Sequence, residues 1–283
     1  MKFIKKDGFN IPVIGFGTYE IGDDETKAMK ELEVLEYGFS NYKMQMIDTA
    51  EMYGNGKSEN LISKFIATHK REDLYIIDKI LPENAENNLY LESCIKSLKR
   101  LKTTYIDLYL LHWRANVDLQ DMVNNMEKLV EYGLIKRWGV SNFDVSDMEE
   151  LFKCDKGSNC FLNQCLYNLS ERGVEYDLIP WCEKHNVLFM AYSPIAHNNF
   201  YKSIIKKSDE IQSLSKNQNE SIESLMLRFV IRNNNVITAF KTSNVKHLIS
   251  NMKNVFIPLS DYEMKVLDCS FPKPNKKIEL QKI

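Results

Sequence analysis

Long apolar runs, an excess of positive charge and an apolar N-terminal stretch are all missing from this sequence. No run of about eighteen apolar residues occurs, which argues against a helix that spans a membrane. The 37 Lys and Arg residues are offset by 39 Asp and Glu residues, so no basic surface for nucleic acid is expected. The chain turns polar after Ile4 and cannot supply the apolar part of a signal peptide. We therefore expect a soluble cytoplasmic protein that binds neither nucleic acid nor a membrane.

Spacings typical of metal ligands are missing as well. No two of the six cysteines form a Cys-x-x-Cys pair, and no His-x-x-x-His accompanies them. Reduced, buried thiols are therefore expected rather than a zinc site or a disulfide framework, and no metal site is predicted. The cysteines are Cys94, Cys154, Cys160, Cys165, Cys182 and Cys269.

The strongest positive pattern is an alternation of short apolar segments with segments of helical periodicity. With 44% hydrophobic residues, the composition excludes a disordered chain, and no proline-rich linker divides residues 1–283, so one domain is expected. Consecutive apolar positions are typical of parallel strands buried on both faces. The candidate strands are Ile14–Gly17, Met46–Thr49, Leu74–Ile77, Ile106–Leu111, Ile135–Val140, Phe161–Asn163, Leu188–Ala191 and Val236–Ala239.

Eight strand and helix units in this length favour a closed (β/α)₈ TIM barrel over an open sheet. An N-terminal β-hairpin is predicted from Met1–Ile4 and Ile11–Val13, which flank Asp7-Gly8, and it would cap the bottom of the barrel. Ser58 is a candidate helix N-cap. Residues 195–219 are long enough to hold an extra helix, and residues 271–283 are expected to be an extended loop.

Ionisable side chains follow the predicted strands at one end of the barrel, where active sites of this fold lie. Asp48 follows the second strand, with Tyr53 in the next loop, and Lys79 and His112 follow the third and fourth strands. An ammonium lowers the pKa of a neighbouring tyrosine, and a carboxylate keeps a buried lysine charged. Together with a histidine that hydrogen-bonds the same oxygen, such a tyrosine can protonate a carbonyl group that is gaining charge.

The sequence resembles the aldo-keto reductases, because a set of short segments occurs in the order typical of that family. The match runs from about Gly15 to Asn251, and its segments are GFGT at 15–18, DTAEMYGNG at 48–56, Lys79, LLHW at 110–113, GVSNF at 139–143, NQ at 163–164, AYSP at 191–194 and KT at 241–242. The resemblance implies a (β/α)₈ barrel and a catalytic tetrad of Asp48, Tyr53, Lys79 and His112.

By the same resemblance, each tetrad residue has a role. Tyr53 would donate the proton, Lys79 and Asp48 would tune it, and His112 would orient the carbonyl group. Nicotinamide contacts are implied for Ser141, Asn142, Gln164 and Tyr192, further cofactor contacts for Thr18 and Ser193, and substrate contacts for Tyr19 and Trp113.

The cofactor cannot be held by a Rossmann fingerprint, because Gly22 is misplaced for the third glycine after Gly15 and Gly17. A phosphate site after the last two strands is expected instead. The resemblance implies adenosine-phosphate contacts within the segment 241–251. His247 stands where the family usually has an arginine, so NADPH is expected, with NADH possible. The implied residues are Lys241, Thr242, Asn244 and His247 for the phosphate, and Asn251 for the adenine.

The sequence thus predicts a monomeric, NADPH-dependent enzyme that reduces aldehydes or ketones to alcohols. Short loops around the predicted site favour an open pocket for small carbonyl substrates. One alternative is a non-catalytic, nicotinamide-sensing regulatory subunit on the same fold. Another is a lyase or isomerase barrel that uses no nicotinamide.

Overall fold

A closed barrel of eight parallel strands forms the centre of the molecule. The computed structural model describes residues 1–85, 89–196 and 199–282. The strands within these residues are β1 (Phe3–Lys6), β2 (Phe9–Pro12), β3 (Ile14–Gly17), β4 (Met46–Asp48), β5 (Tyr75–Ile80), β6 (Leu108–Leu111), β7 (Trp138–Ser141), β8 (Leu162–Leu166), β9 (Leu188–Tyr192) and β10 (Val236–Phe240). Strands β3 to β10 pair in chain order, and β10 closes the barrel against β3. The predicted TIM-barrel fold is confirmed.

Helices surround the barrel and cover the outer face of its strands. They are α1 (Ala28–Tyr42), α2 (Lys57–Ile66), α3 (Leu89–Leu101), α4 (Leu119–Glu131), α5 (Val145–Leu151), α6 (Leu178–Lys184), α7 (Asn199–Lys207), α8 (Asp209–Asn217), α9 (Ile222–Val230), α10 (Val245–Met252) and α11 (Asp261–Ser270). Because both faces of the strands are covered, every residue of β5, β6 and β8 is buried.

The predicted hairpin is present as the antiparallel pair β1–β2. Asp7 and Gly8 both have positive φ, at 48° and 83°, as the turn of a two-residue hairpin requires. Ile11 is fully buried and belongs to the apolar cluster inside the barrel, together with Met46 and Ile237. The hairpin therefore closes the barrel at the end opposite the carboxyl ends of the strands.

Several local predictions need correction. Ser58 is not an N-cap, because α2 begins at Lys57 and the capping position is Gly56, which has φ 86°. Strand β5 continues to Ile80, so Lys79 lies within the strand rather than at its end. Helix α11 was not predicted, although Ser260 and Glu263 form a capping box at its start.

The two long connections fit their predictions. The segment 195–219 contains α7 and α8, although residues 197 and 198 lie outside the described residues. Residues 271–282 contain no helix or strand, and residue 283 lies outside the described part. Lys277 fixes this tail to the barrel side through Asp144 and Asp177.

Most cysteines are buried thiols, as predicted, but two are not. All six are free. Cys154 is half-buried, and Cys269 on α11 is exposed. Among the described residues, no helix has the length and apolar character needed to cross a bilayer.

Candidate active site

The four residues of the tetrad meet at the carboxyl ends of the barrel strands. Asp48 ends β4, Lys79 lies near the end of β5, and His112 directly follows β6. Tyr53 opens a short 3₁₀ turn, Tyr53–Gly56, that leads into α2. Lys79 Nζ lies 2.8 Å from Asp48 Oδ1 and 3.2 Å from Tyr53 Oη, so the lysine links the carboxylate to the phenol.

Lys79 is a fully buried ammonium whose three hydrogens all have acceptors. Besides Asp48 and Tyr53, Nζ donates to the carbonyl oxygen of Thr49 at 2.8 Å. Burial alone lowers the pKa of Lys79, but Asp48 and Tyr53 more than offset it, and the pKa lies above its ordinary value. The lysine therefore stays charged, as the sequence predicted. The Thr49 carbonyl could not have been identified from the sequence, because it is a backbone group.

The Asp48 carboxylate is held in place by its neighbours. Gln164 Nε2 donates to Asp48 Oδ1 at 3.0 Å, so the predicted nicotinamide residue Gln164 also contacts the tetrad. The Thr18 hydroxyl donates to the Asp48 carbonyl at 2.9 Å and accepts from the Ser58 hydroxyl at 2.9 Å. Thr18 is fully buried, so its side chain supports the Asp48 backbone from within the protein.

The Tyr53 phenol differs in one respect from the sequence-based expectation. Burial raises the pKa of Tyr53 and Lys79 lowers it, but burial has the larger effect and the pKa lies above its ordinary value. Lys79 therefore reduces, rather than reverses, the effect of burial. The Tyr53 ring packs edge-on against Tyr19 and His112, with ring centroids 5.3 and 5.9 Å away.

His112 is a buried, neutral imidazole. Burial, together with the charge of Lys79, lowers its pKa to about 3. Among the described residues, its Nδ1 has no hydrogen-bond partner. The His112 carbonyl accepts from Asn142 Nδ2 at 3.2 Å, which fixes the start of the loop after β6.

The four predicted nicotinamide residues form a connected row beside the tetrad, which we call the amide row. Asn142 Nδ2 donates to Ser141 Oγ at 3.1 Å, and the Tyr192 hydroxyl donates to Asn142 Oδ1 at 2.9 Å. Ser141 Oγ donates to the carbonyl of Gln164 at 2.9 Å. Asn142 has a positive φ of 61°, a conformation that asparagine tolerates better than most residues.

The predicted phosphate and adenine residues lie in the loop after β10 and along α10. Asn244 is the N-cap, and its side chain accepts from the backbone N–H of Lys246. His247 is exposed in the first turn, whereas Asn251 is buried near the end of the helix. Lys241 pairs with Glu20 at 2.8 Å, across the space between the loops after β3 and β10. This pairing with Glu20 could not be predicted from the sequence.

The remaining predicted residues stand at the rim. Tyr19 is 56% exposed, and Trp113 is half-buried with its ring 5.0 Å from that of His112. Ser193 follows β9 with a φ of 52°, and its carbonyl accepts from Asn168. The structure thus brings together the tetrad, the amide row and the rim aromatics. The segment 241–251 forms a separate group, which we call the basic end.

Comparison with known proteins decides the family. The sequence model described as "Aldo/keto reductase family" matches residues 13–270, a span that includes all of the tetrad and the row beside it. The chain belongs to the aldo/keto reductase family. It is an NAD(P)H-dependent oxidoreductase of the carbonyl-reducing type, as its sequence predicted.

Several relatives are similar over almost their whole length. Methylglyoxal reductase YeaE of Escherichia coli is 36% identical, with 97% of this chain and 96% of the relative covered. Glyoxal reductase of Bacillus subtilis is 27% identical, with 93% and 90% covered. An aldo/keto reductase of Klebsiella pneumoniae, solved with NADP and acetate, is 36% identical with a TM-score of 0.95, covering 100% of this chain and 99% of that one.

Proposed function

We propose that this chain reduces small aldehydes or ketones with NADPH, and that Tyr53 supplies the proton. The observation that carries the proposal is the position of Lys79 between Asp48 and Tyr53, at 2.8 and 3.2 Å. A charged lysine beside the phenol stabilises the phenolate that remains after the proton leaves. Asp48 keeps that lysine charged in a fully buried position.

His112 acts as a neutral hydrogen-bond donor in this proposal. Its pKa of about 3 leaves the imidazole uncharged near neutral pH. A neutral donor orients a carbonyl group without competing with Tyr53 for the transfer of the proton. The ring contact with Tyr53 places the imidazole and the phenol on the same side of the mouth.

The donor set at the mouth fits a nicotinamide cofactor. When bound, NADPH supplies the hydride for the carbonyl carbon. The side chains of Ser141, Asn142 and Gln164 offer the hydroxyl and amide groups that a carboxamide needs, and Tyr192 offers an aromatic face.

The basic end fits the phosphates of the same cofactor. The helix N-terminus at Asn244, together with Lys241 and Thr242, suits an anion. His247 extends this set in the first turn of α10, and Asn251 lies further along the helix, where it would contact the adenine. Histidine lacks the bidentate fork of arginine, so we expect a moderate preference for NADPH, with NADH also accepted.

Small 2-oxoaldehydes are the substrate class that we propose, with methylglyoxal as the representative. The names of the Escherichia coli and Bacillus subtilis relatives support this class. The exposed ring of Tyr19 and the half-buried ring of Trp113 would contact the substrate at an open rim. We further propose that residues 1–283 act as one domain, as a monomer in the cytoplasm.

The test is NADPH oxidation by the purified protein with methylglyoxal, glyoxal and a simple ketone. We expect turnover with all three and the highest kcat/KM with the 2-oxoaldehydes. A protein that binds NADPH, shown by fluorescence, but turns over none of them would instead support the regulatory-subunit alternative. A simple ketone preferred over both 2-oxoaldehydes would contradict the substrate class and leave the reaction class intact.

A further inference from the structure

A second cluster of ionisable groups lies behind the tetrad, between the barrel wall and helices α2 and α3. Asp78 and Lys79 are consecutive on β5, so their side chains point to opposite faces of the sheet. Lys79 points into the mouth, and Asp78 points outward. Asp78 and Glu59 of α2 are both fully buried. Neither residue belongs to the proposed proton-transfer machinery.

The charges of this cluster do not balance if every carboxyl group is ionised. Arg100 of α3 is bound by Glu59, with Nε 2.5 Å from Oε2 and Nη2 3.1 Å from Oε1. Glu51 accepts from the backbone N–H of Leu81 at 2.7 Å, and also from Asn84 and Ser93. Within residues 1–85, 89–196 and 199–282, Asp78 has no cation of its own, because Lys79 is committed to Asp48.

The hydrogen bonds of Asp78 show which of its oxygens is unusual. Oδ1 accepts from the backbone N–H of Lys79 at 2.8 Å. Oδ2 is buried and receives no hydrogen from any group in the part of the chain that the structure describes. A buried carboxylate oxygen without a donor is costly, whereas a protonated oxygen in the same place becomes a donor itself.

Glu59 is the acceptor that such a proton would use. Burial raises the pKa of Glu59, Arg100 lowers it most strongly among its partners, and a hydrogen bond from Asp78 lowers it as well. An ionised Glu59 can only accept, so the hydrogen of this bond has to come from Asp78. Burial, and then the charge of Glu59, raises the pKa of Asp78 well above its ordinary value, in agreement with this assignment.

We propose that Asp78 is a neutral carboxylic acid that donates a hydrogen bond to Glu59 and thereby positions β5 and its lysine. This inference rests on the proposed function in one respect: it assigns Asp78 an effect on Lys79 and Tyr53. An ionised Asp78 would place a second negative charge behind Lys79 and raise the pKa of Tyr53 further. When Asp78 is a neutral acid, Asp48 is the carboxylate that is paired with the Lys79 ammonium.

The same hydrogen bond connects β5 to the Tyr53 turn. Glu59 lies in the first turn of α2, directly after Tyr53–Gly56. Gly56 approaches Arg100 so closely that an added Cβ would lie 2.5 Å from its Cδ. Several titratable or charged groups face Asp78. They are Glu59 from α2, Cys94 and Arg100 from α3, Tyr109 from β6, Glu51 from the loop after β4, and Lys79 from its own strand.

The first experiment measures the unfolding constants of wild type and Asp78→Asn against pH. A carboxyl group whose pKa is raised by folding stabilises the fold only while protonated, so the contribution of Asp78 to wild-type stability falls as pH rises above about 4. The amide of Asp78→Asn can donate to Glu59 but cannot titrate. The ratio of wild-type to variant unfolding constants should therefore rise by up to about tenfold per pH unit above that point.

Asp73→Asn is the matched control, because Asp73 is exposed and loses the same charge. Its ratio should stay flat over the same range. A flat ratio for Asp78→Asn as well would show an ionised Asp78 and overturn the proposal. This readout does not involve Tyr53, so it stands even if the proposed proton donor is wrong.

Two further measurements complete the test. In wild type with isotopically labelled aspartate, the infrared band of a protonated carboxyl group should be present at neutral pH and shift with the label. Its absence would overturn the proposal even if the variant failed to fold. In the pH profile of kcat, Asp78→Asn should keep the wild-type midpoint. A midpoint displaced to lower pH would show that the substitution had removed a negative charge.

Discussion

At the scale of single residues, Lys79 connects the Asp48 carboxylate with the Tyr53 phenol. It is fully buried, and its three hydrogens are shared by the Asp48 carboxylate, the Tyr53 phenol and the Thr49 carbonyl. Removing its charge leaves burial and the Asp48 carboxylate, which both raise the pKa of Tyr53, so the pKa of the phenol rises further. The phenol then becomes a weaker acid at neutral pH.

Lys79→Met should therefore reduce kcat about as much as Tyr53→Phe. General acid catalysis is worth roughly 10² to 10⁴ in rate. Because the two residues act as one unit, the double variant should be little worse than either single variant. The measurement is kcat with methylglyoxal for all three proteins. Losses that multiply in the double variant would show that Lys79 acts independently of Tyr53.

His112 should show no titration in the physiological range. Burial lowers its pKa to about 3, so the imidazole gains its proton only in strong acid. The pH profile of kcat/KM between about pH 5 and 9 should therefore contain no step from this residue. His112→Gln keeps a neutral donor and should retain more activity than His112→Ala. An inflection near the ordinary histidine value of about 6.5, lost in His112→Gln, would contradict a neutral His112.

At the scale of elements, the loops after β3 and β10 are linked by Glu20 and Lys241 across the proposed cofactor groove. The pair is 2.8 Å apart, but both side chains are partly exposed, so its contribution to stability is small. Lys241 cannot bind a phosphate and Glu20 equally well at the same time. We therefore expect Glu20 to compete with the phosphate of the cofactor for Lys241.

Glu20→Gln should tighten NADPH binding by up to about fivefold, the scale of an exposed ion pair. The effect on NADH should be smaller if Lys241 contacts the 2′-phosphate. Fluorescence titration with both cofactors measures it. Glu25→Gln, an exposed residue of the same loop, is the matched control for the change in net charge. Equal tightening of NADPH in both variants would point to net charge rather than to the Glu20–Lys241 pair.

The lengths of several elements could not be read from apolar runs. The predicted strand Ile106–Leu111 is shorter in the structure, because residues 106 and 135 meet only through an isolated bridge. Strand β5 is longer than its apolar run, since Asp78 and Lys79 are polar but continue the pairing with β6. Asp78 and Lys79 are buried by residues that are distant in sequence. The apolar periodicity of a segment contains no information about such contacts.

At the scale of the whole molecule, the order of the strands and the meeting of Asp48, Tyr53, Lys79 and His112 at one end of the barrel could both be predicted. The strands are apolar on successive positions, and the four residues lie at or near the strand ends where this fold carries its sites. Glu59 and Arg100 were not found, because an ion pair between two helices has no local signal. The sequence does contain a local signal for Asp78, because an acidic residue next to Lys79 in a buried strand has to point to the opposite face of the sheet.

The central claim is that Tyr53 donates the proton, and Tyr53→Phe tests it most directly. The phenylalanine ring can keep the packing against Tyr19 and His112 while the hydroxyl is lost. The measurement combines kcat with methylglyoxal and the NADPH dissociation constant from fluorescence. We predict a loss of roughly 10² to 10⁴ in kcat with unchanged NADPH binding. Turnover close to that of wild type, in a variant that binds NADPH normally, would contradict it.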